Sequence, residues 1–177
     1  MLLDVARAAL EEREYLYELI PDDTLLRFRV QGRPATYACV VRTDEDWRQA
    51  IVMVSSTVLI PEPARRRVAE LIARANFGLR IGCFELDIED GEWHYRVSVD
   101  VEGGSLTPRM VDLMLDAALQ AMDDHHDAVM RVAYGDVRPA EAIADVREVQ
   151  RARALAMHRA EAGDADSGSP VLPDDAV

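Results

Sequence analysis

The sequence predicts an α+β domain: a single curved, mainly antiparallel five-stranded sheet with helices packed on it, in the order αβββαββαα. Three observations predict it. Residues Cys83–Val101, CFELDIEDGEWHYRVSVDV, alternate apolar and polar on both sides of Asp90-Gly91, as two half-buried antiparallel strands do. Leu26, Phe28 and Val30 alternate in the same way with Arg27 and Arg29 before a turn at Gly32 and Pro34. Helical spacing is confined to the two ends and to one connection, so helices segregate from strands.

Each element has its own reason. Leu2, Ala6, Ala9, Leu10, Leu16 and Ile20 form an irregular apolar stripe, which predicts a helix over Leu2–Ile20, stopped by Pro21-Asp22-Asp23. The strand at Leu26–Val30 is followed by a second at Tyr37–Arg42 and a polar connection, Thr43–Asp46. Gln49–Val54 is nearly continuous apolar, which suits a central strand buried on both faces. Pro61 and Pro63 open a helix whose buried face is Ala64, Val68, Leu71, Ile72 and Ala75. Thr107, as N-cap, and Pro108 start a long helix lined by Val111, Met114, Leu115, Ala118 and Met122. Its second stripe, Met110, Leu113 and Ala117, asks for a further packing partner. Pro139 starts the last helix, with Ala142, Ile143, Val146 and Val149 inward.

The hairpin carries the sharpest expectation. With Asp90-Gly91 as a two-residue turn, Phe84 meets Val97, Leu86 meets Tyr95 and Ile88 meets Trp93 on the apolar face. Glu85 then meets Arg96, Asp87 meets His94 and Cys83 meets Ser98 on the polar face.

The domain is expected to span residues 1–160. Residues 161–177 are expected to be a disordered acidic tail; within it Gly163–Val177 is Gly/Ser/Pro/Asp-rich with too little apolar content to order itself, and so dispensable for folding. The chain has 33 acidic and 20 basic residues, a net charge of −13, which disfavours nucleic acid and anionic membranes as partners. Every basic residue is arginine. Cys39 and Cys83 lie in expected strands without metal-ligand spacing, and read as free thiols. No apolar run approaches a membrane span and the N-terminus lacks a signal-peptide pattern, so the expected location is the cytoplasm.

Three constellations carry groups capable of chemistry. Cys83, Asp87 and His94 share a face, but the expected register separates Cys83 from His94 by ~13 Å, too far for a catalytic triad. His125 and His126 sit in the acidic run Met122–Asp127, yet neighbouring helical residues point ~100° apart and cannot easily share an ion. A polar helix end with His125 tucked under the apolar stripe is the plainer account. Arg65-Arg66-Arg67, with Arg74 and Arg80 nearby, reads as a solvated helix face; an acidic protein segment would suit it better than nucleic acid. No glycine-rich nucleotide loop and no GxSxG is present. No catalytic, cofactor-binding or metal-binding residue is therefore assigned.

A longer ordered string of residues points to a family. Asn76-Phe77-Gly78-Leu79, Gly82-x-Phe84-Glu85-Leu86-Asp87, Asp90-Gly91-Glu92 and Tyr95-Arg96-Val97 resemble the YbjN family of bacterial proteins. So do Leu106-Thr107, Met122-Asp123, Tyr134-Gly135 and Pro139-x-x-Ala142-Ile143. The resemblance runs from about residue 25 to 146 and departs at His125-His126, where the family often shows a Tyr-aromatic pair. It implies a fold similar to type III secretion chaperones, usually dimeric, which are not enzymes and hold a partly extended segment of a partner. The resulting expectation is a non-enzymatic protein-binding module, chaperone-like or adaptor-like, without cofactor and as a homodimer. A regulator acting through protein contacts is one alternative. A small-ligand binder or enzyme using the concave sheet face is the other.

Overall fold

The structure, a computed structural model, describes residues 1–20 and 24–166, with side chains as far as Arg159. The expected stop at Pro21-Asp22-Asp23, and the tail from residue 167 on, lie outside the described residues. The elements are α1 (Leu2–Glu12), β1 (Tyr17–Ile20), β2 (Leu25–Gln31), β3 (Thr36–Asp44), β4 (Gln49–Ser56), α2 (Arg65–Asn76), β5 (Cys83–Leu86), β6 (Trp93–Asp100), α3 (Pro108–Tyr134) and α4 (Pro139–Asp166). The strands make one antiparallel sheet in the order β1-β2-β3-β4-β6-β5.

The sheet has six strands, one more than expected, because the first helix is shorter. α1 ends at Glu12, Glu14 takes φ +57°, and Tyr15 N–H donates to the Leu10 carbonyl. Tyr15, Tyr17 and Ile20 in the run that follows suit a pleated edge. Tyr15 stacks on Phe28 at 5.3 Å, Tyr17 pairs with Phe28, and Leu16, expected on the buried stripe, is exposed. Arg13 ties the helix end to Asp112 and Asp116 of α3.

All the helices lie on one face. α3 crosses β4 and β6, α1 packs on β3 and α3, α2 on β5 and α3, and α4 forms an outer layer on α2 and α3. The core between sheet and helices contains Tyr37, Val41, Val52, Val54, Trp93 and Tyr95 from the strands and Leu10, Leu71, Leu115 and Met122 from the helices. The expected inner faces of α2 and α3 are all buried, and Thr107 caps α3 by accepting from Met110 N–H. On α4, Ala142, Ile143 and Val146 are buried while Val149 is exposed. β4 is central, but only Ala50, Val52, Val54 and Ser56 are buried; Ile51 and Met53 are half-buried on the face without helices. Continuous apolarity here marks two unlike faces, not two covered ones.

The hairpin keeps its two faces but changes its partners. Phe84 pairs with Tyr95, Leu86 with Trp93, Glu85 with His94 and Cys83 with Arg96. This is a shift of two residues, which preserves every side chain's face. Ile88 leaves the sheet and is exposed, and Leu86 at the strand end is half-buried. The cause is a longer loop than a two-residue turn. Asp87 N–H donates to Glu92 O, Gly91 N–H to Asp87 O, and the side chains of Asp87 and Asp90 accept from the N–H groups of Glu89 and Glu92.

Candidate functional site

The shifted register assembles a cluster on the open face of β5 and β6. Glu85 Oε2 lies 2.8 Å from His94 Nε2, and Oε1 accepts from Arg96 Nε at 2.9 Å. Cys83 Sγ is 3.8 Å from the same carboxylate. The new pairing brings Cys83 and His94 to a diagonal spacing of about 7–8 Å, much nearer than the expected ~13 Å. The chemistry still opposes a nucleophile, because burial and Glu85 both push the Cys83 thiol up. The expected Asp87–His94 pair is replaced by Glu85–His94, and Asp87 serves the loop.

The hydrogen bonds from Arg96 and His94 lower the Glu85 carboxyl to about 2. Its stabilisation is present above the ordinary carboxylate range and disappears as pH falls through the folded value, between about pH 4.5 and 2. At a site one-third open to solvent this is worth on the order of 1 kcal/mol. His125 acts in a higher window. Burial lowers its pKa, so it stays neutral in the fold while the unfolded chain takes up a proton below about pH 6.5. Melting curves are expected to show stability falling first below pH 6.5 and again below 4.5. His125→Phe should remove the first decline and Glu85→Gln should reduce the second, to which Asp116 and Asp124, also held below the ordinary carboxylate range by arginines, contribute the rest.

The histidine pair points two ways. His125 Nδ1 lies 2.9 Å from the Ala121 carbonyl and its ring meets Phe84 edge-on at 4.9 Å. His126 is buried as well, between Tyr37 and Trp93, with no hydrogen-bond partner for either ring nitrogen among the described residues. Among the described residues no three His, Cys, Asp or Glu side chains are placed to share an ion.

The arginine run is largely structural. Arg65 donates to the carbonyls of Ile60, Ile88, Glu89 and Asp90, gathering the hairpin loop onto the start of α2. Arg67 bonds Asp136 and the Val137 carbonyl; Arg66 alone is exposed without a partner among the described residues. A cleft of about 400 Å³ lies between α3, α4 and the β2–β3 turn. Its charges, Asp127 apart, are occupied with one another: Arg33 with Asp123 and Asp124, Arg153 with Asp124, and Arg131 with Asp145.

The sheet face turned away from the helices is a different kind of surface. Ala38 and Val40 of β3 and Ile51 and Met53 of β4 form a half-buried apolar band outside the core. Val40 pairs with Met53 and Arg42 with Ile51 across the β3–β4 ladder. On the other side Arg27 pairs with Val40 and Arg29 with Ala38. Arg27, Arg29 and Arg42 are exposed and form no ion pair among the described residues. Strand alternation placed these residues on one side, but only the strand order shows that they form one surface.

Among the described residues no helix is long and apolar enough to cross a membrane. No curated protein matches the chain. Among solved structures it is similar to one titled "Crystal structure of YbjN, a putative transcription regulator from E. coli", with TM-score 0.52 and 13% identity. That match covers 71% of this chain and 91% of the other, and supports a common fold. The YbjN family model, described as "Putative bacterial sensory transduction regulator", matches residues 3–131. The match extends the resemblance seen in the motifs back through β1 and most of α1, and the chain belongs to the YbjN family.

Proposed function

We propose that this chain is a non-enzymatic protein-binding module with a regulatory role, holding a segment of a partner on its open sheet face. The observation that carries the reading is the unshared apolar band, Ala38, Val40, Ile51 and Met53, on a six-stranded sheet whose helices all lie on the other side. Solvent-facing sheet surfaces are ordinarily polar, and apolar residues contiguous over two central strands are the kind of surface that partners cover. The regulator descriptions of the family and of the E. coli structure agree with such a role. Location in the cytoplasm belongs to the same proposal.

Self-association is proposed through α3, where Leu113 of the second stripe is 51% exposed while Met110 and Ala117 are half-covered. Light scattering after size exclusion should give about twice the chain mass of 19.8 kDa at tens of micromolar; the monomer mass would reject the dimer. The docking reading is tested by affinity capture followed by mass spectrometry. A saturable protein partner that is lost on Met53→Ser is the expected result. A co-purified small molecule, or capture indifferent to Met53, would overturn it.

A further inference from the structure

We propose that the open sheet face docks an extended acidic segment of a partner protein. Its apolar residues would lie on Ala38, Val40, Ile51 and Met53, and its carboxylates on Arg27, Arg29 and Arg42. The inference rests on the docking reading above and adds the chemical class of the occupant.

Charge complementarity carries it. In a chain of net charge −13, arginines have acids to pair with, and half of them hold a carboxylate among the described residues. Arg13, Arg33, Arg74, Arg96, Arg131 and Arg153 all hold carboxylates. Arg27, Arg29 and Arg42 hold none among the described residues, and they flank the apolar band of β3 and β4 on the sheet exterior. The acids of that face lie on the edge strands, Glu18 of β1 opposite Arg27 and Glu85 on β5, or at strand ends, Asp44 and Asp100. The middle of the face, around Arg29 and Arg42, is therefore positive within an acidic molecule.

The spacing suits an extended guest. Arg27 and Arg29 are two residues apart on β2, about 7 Å along the strand, the same period at which an extended peptide presents side chains to one side. Each arginine fork can take a carboxylate in a bidentate pair. A second copy docked face to face by a two-fold axis would bring like arginines together, which opposes that occupant. Nucleic acid would meet the chain's overall negative field.

The test uses fluorescein-labelled peptides of five Glu-Leu, five Ser-Leu or five Lys-Leu repeats, titrated with the full chain and followed by anisotropy. The Glu-Leu peptide is expected to bind saturably and to weaken as salt rises; the Lys-Leu peptide is expected not to bind. Combined Arg27→Ala and Arg29→Ala should weaken Glu-Leu binding about tenfold, with Arg66→Ala, on the far side of the molecule, leaving it unchanged. Arg42→Gln alone supplies a second, milder variant, and the melting temperature of each verifies folding. Ser-Leu binding equal to Glu-Leu would overturn the acidic class while leaving the docking reading in place. No binding by any peptide would overturn both. Tighter Glu-Leu binding on combined Asp174→Asn and Asp175→Asn would assign the face to the chain's own acidic end and overturn the partner.

Discussion

Replacing Gly91 by alanine is expected to lower the stability of the domain by about 3–4 kcal/mol, roughly 10 °C in melting temperature. Gly91 has φ +86°, a conformation that costs an alanine about 1 kcal/mol or more. An added Cβ would also lie 2.1 Å from the Ile60 carbonyl oxygen, which belongs to the backbone and cannot rotate away. Relief requires moving the loop. That stretches the bond from Ile60 N–H to the Gly91 carbonyl and disturbs Arg65, whose guanidinium holds the neighbouring carbonyls. Thermal melting of G91A beside Gly104→Ala, a glycine with only ordinary contacts around its site, checks this. A loss below 1 kcal/mol would show that the loop is not fixed against Ile60.

Phe84→Ala is expected to cost about 3–5 kcal/mol. The ring meets Tyr95 edge-on at 4.8 Å and His125 at 4.9 Å, with Trp93 at 6.4 Å, and it is almost wholly buried. Its backbone is also gripped: Asn76 at the end of α2 donates to the Phe84 carbonyl and accepts from its N–H. Asn76 thus satisfies a short edge strand that has only one neighbour, which gives the Asn76–Phe84 spacing of the family string a physical meaning. Denaturant unfolding measures the loss, and Phe84→Leu should recover more than half of it. An equal loss for both would place the effect in the rings' geometry and not in buried volume.

The faces of the elements were legible in the sequence and their partners less so. Alternation with period two assigns Phe84, Tyr95 and Val97 to one side and Glu85, His94 and Arg96 to the other, under any even shift of register. The pairing itself depends on loop length, and the loop is held by Arg65, Ile60 and Gly91, which are brought together only by tertiary packing. The boundary at Glu12 was hidden because Leu10, Leu16 and Ile20 fit a helical stripe as well as the helix–strand break that forms. Thr107-Pro108 was plain, since a cap and a first-turn proline act through neighbours in sequence. The Glu85–Arg96 ion pair was also legible, although it forms on the diagonal. The open face was not, because it joins residues from strands whose order the sequence does not state.

The strand order β1-β2-β3-β4-β6-β5 has a kinetic consequence. From β1 to β4 every strand pairs with its successor through a short connection, so this meander assembles from near neighbours and loses little chain entropy at each step. The next pairing is different: Gln49 meets Asp100, and closing that ladder encloses all of α2 and β5. The largest loop closure in the sheet therefore lies between β4 and β6, beneath the long α3 helix that crosses both. Substitutions in the meander, which forms before that closure, are expected to slow folding, while those that weaken Val52–Val97 or Val54–Tyr95 contacts, completed only as the ladder closes, also speed unfolding.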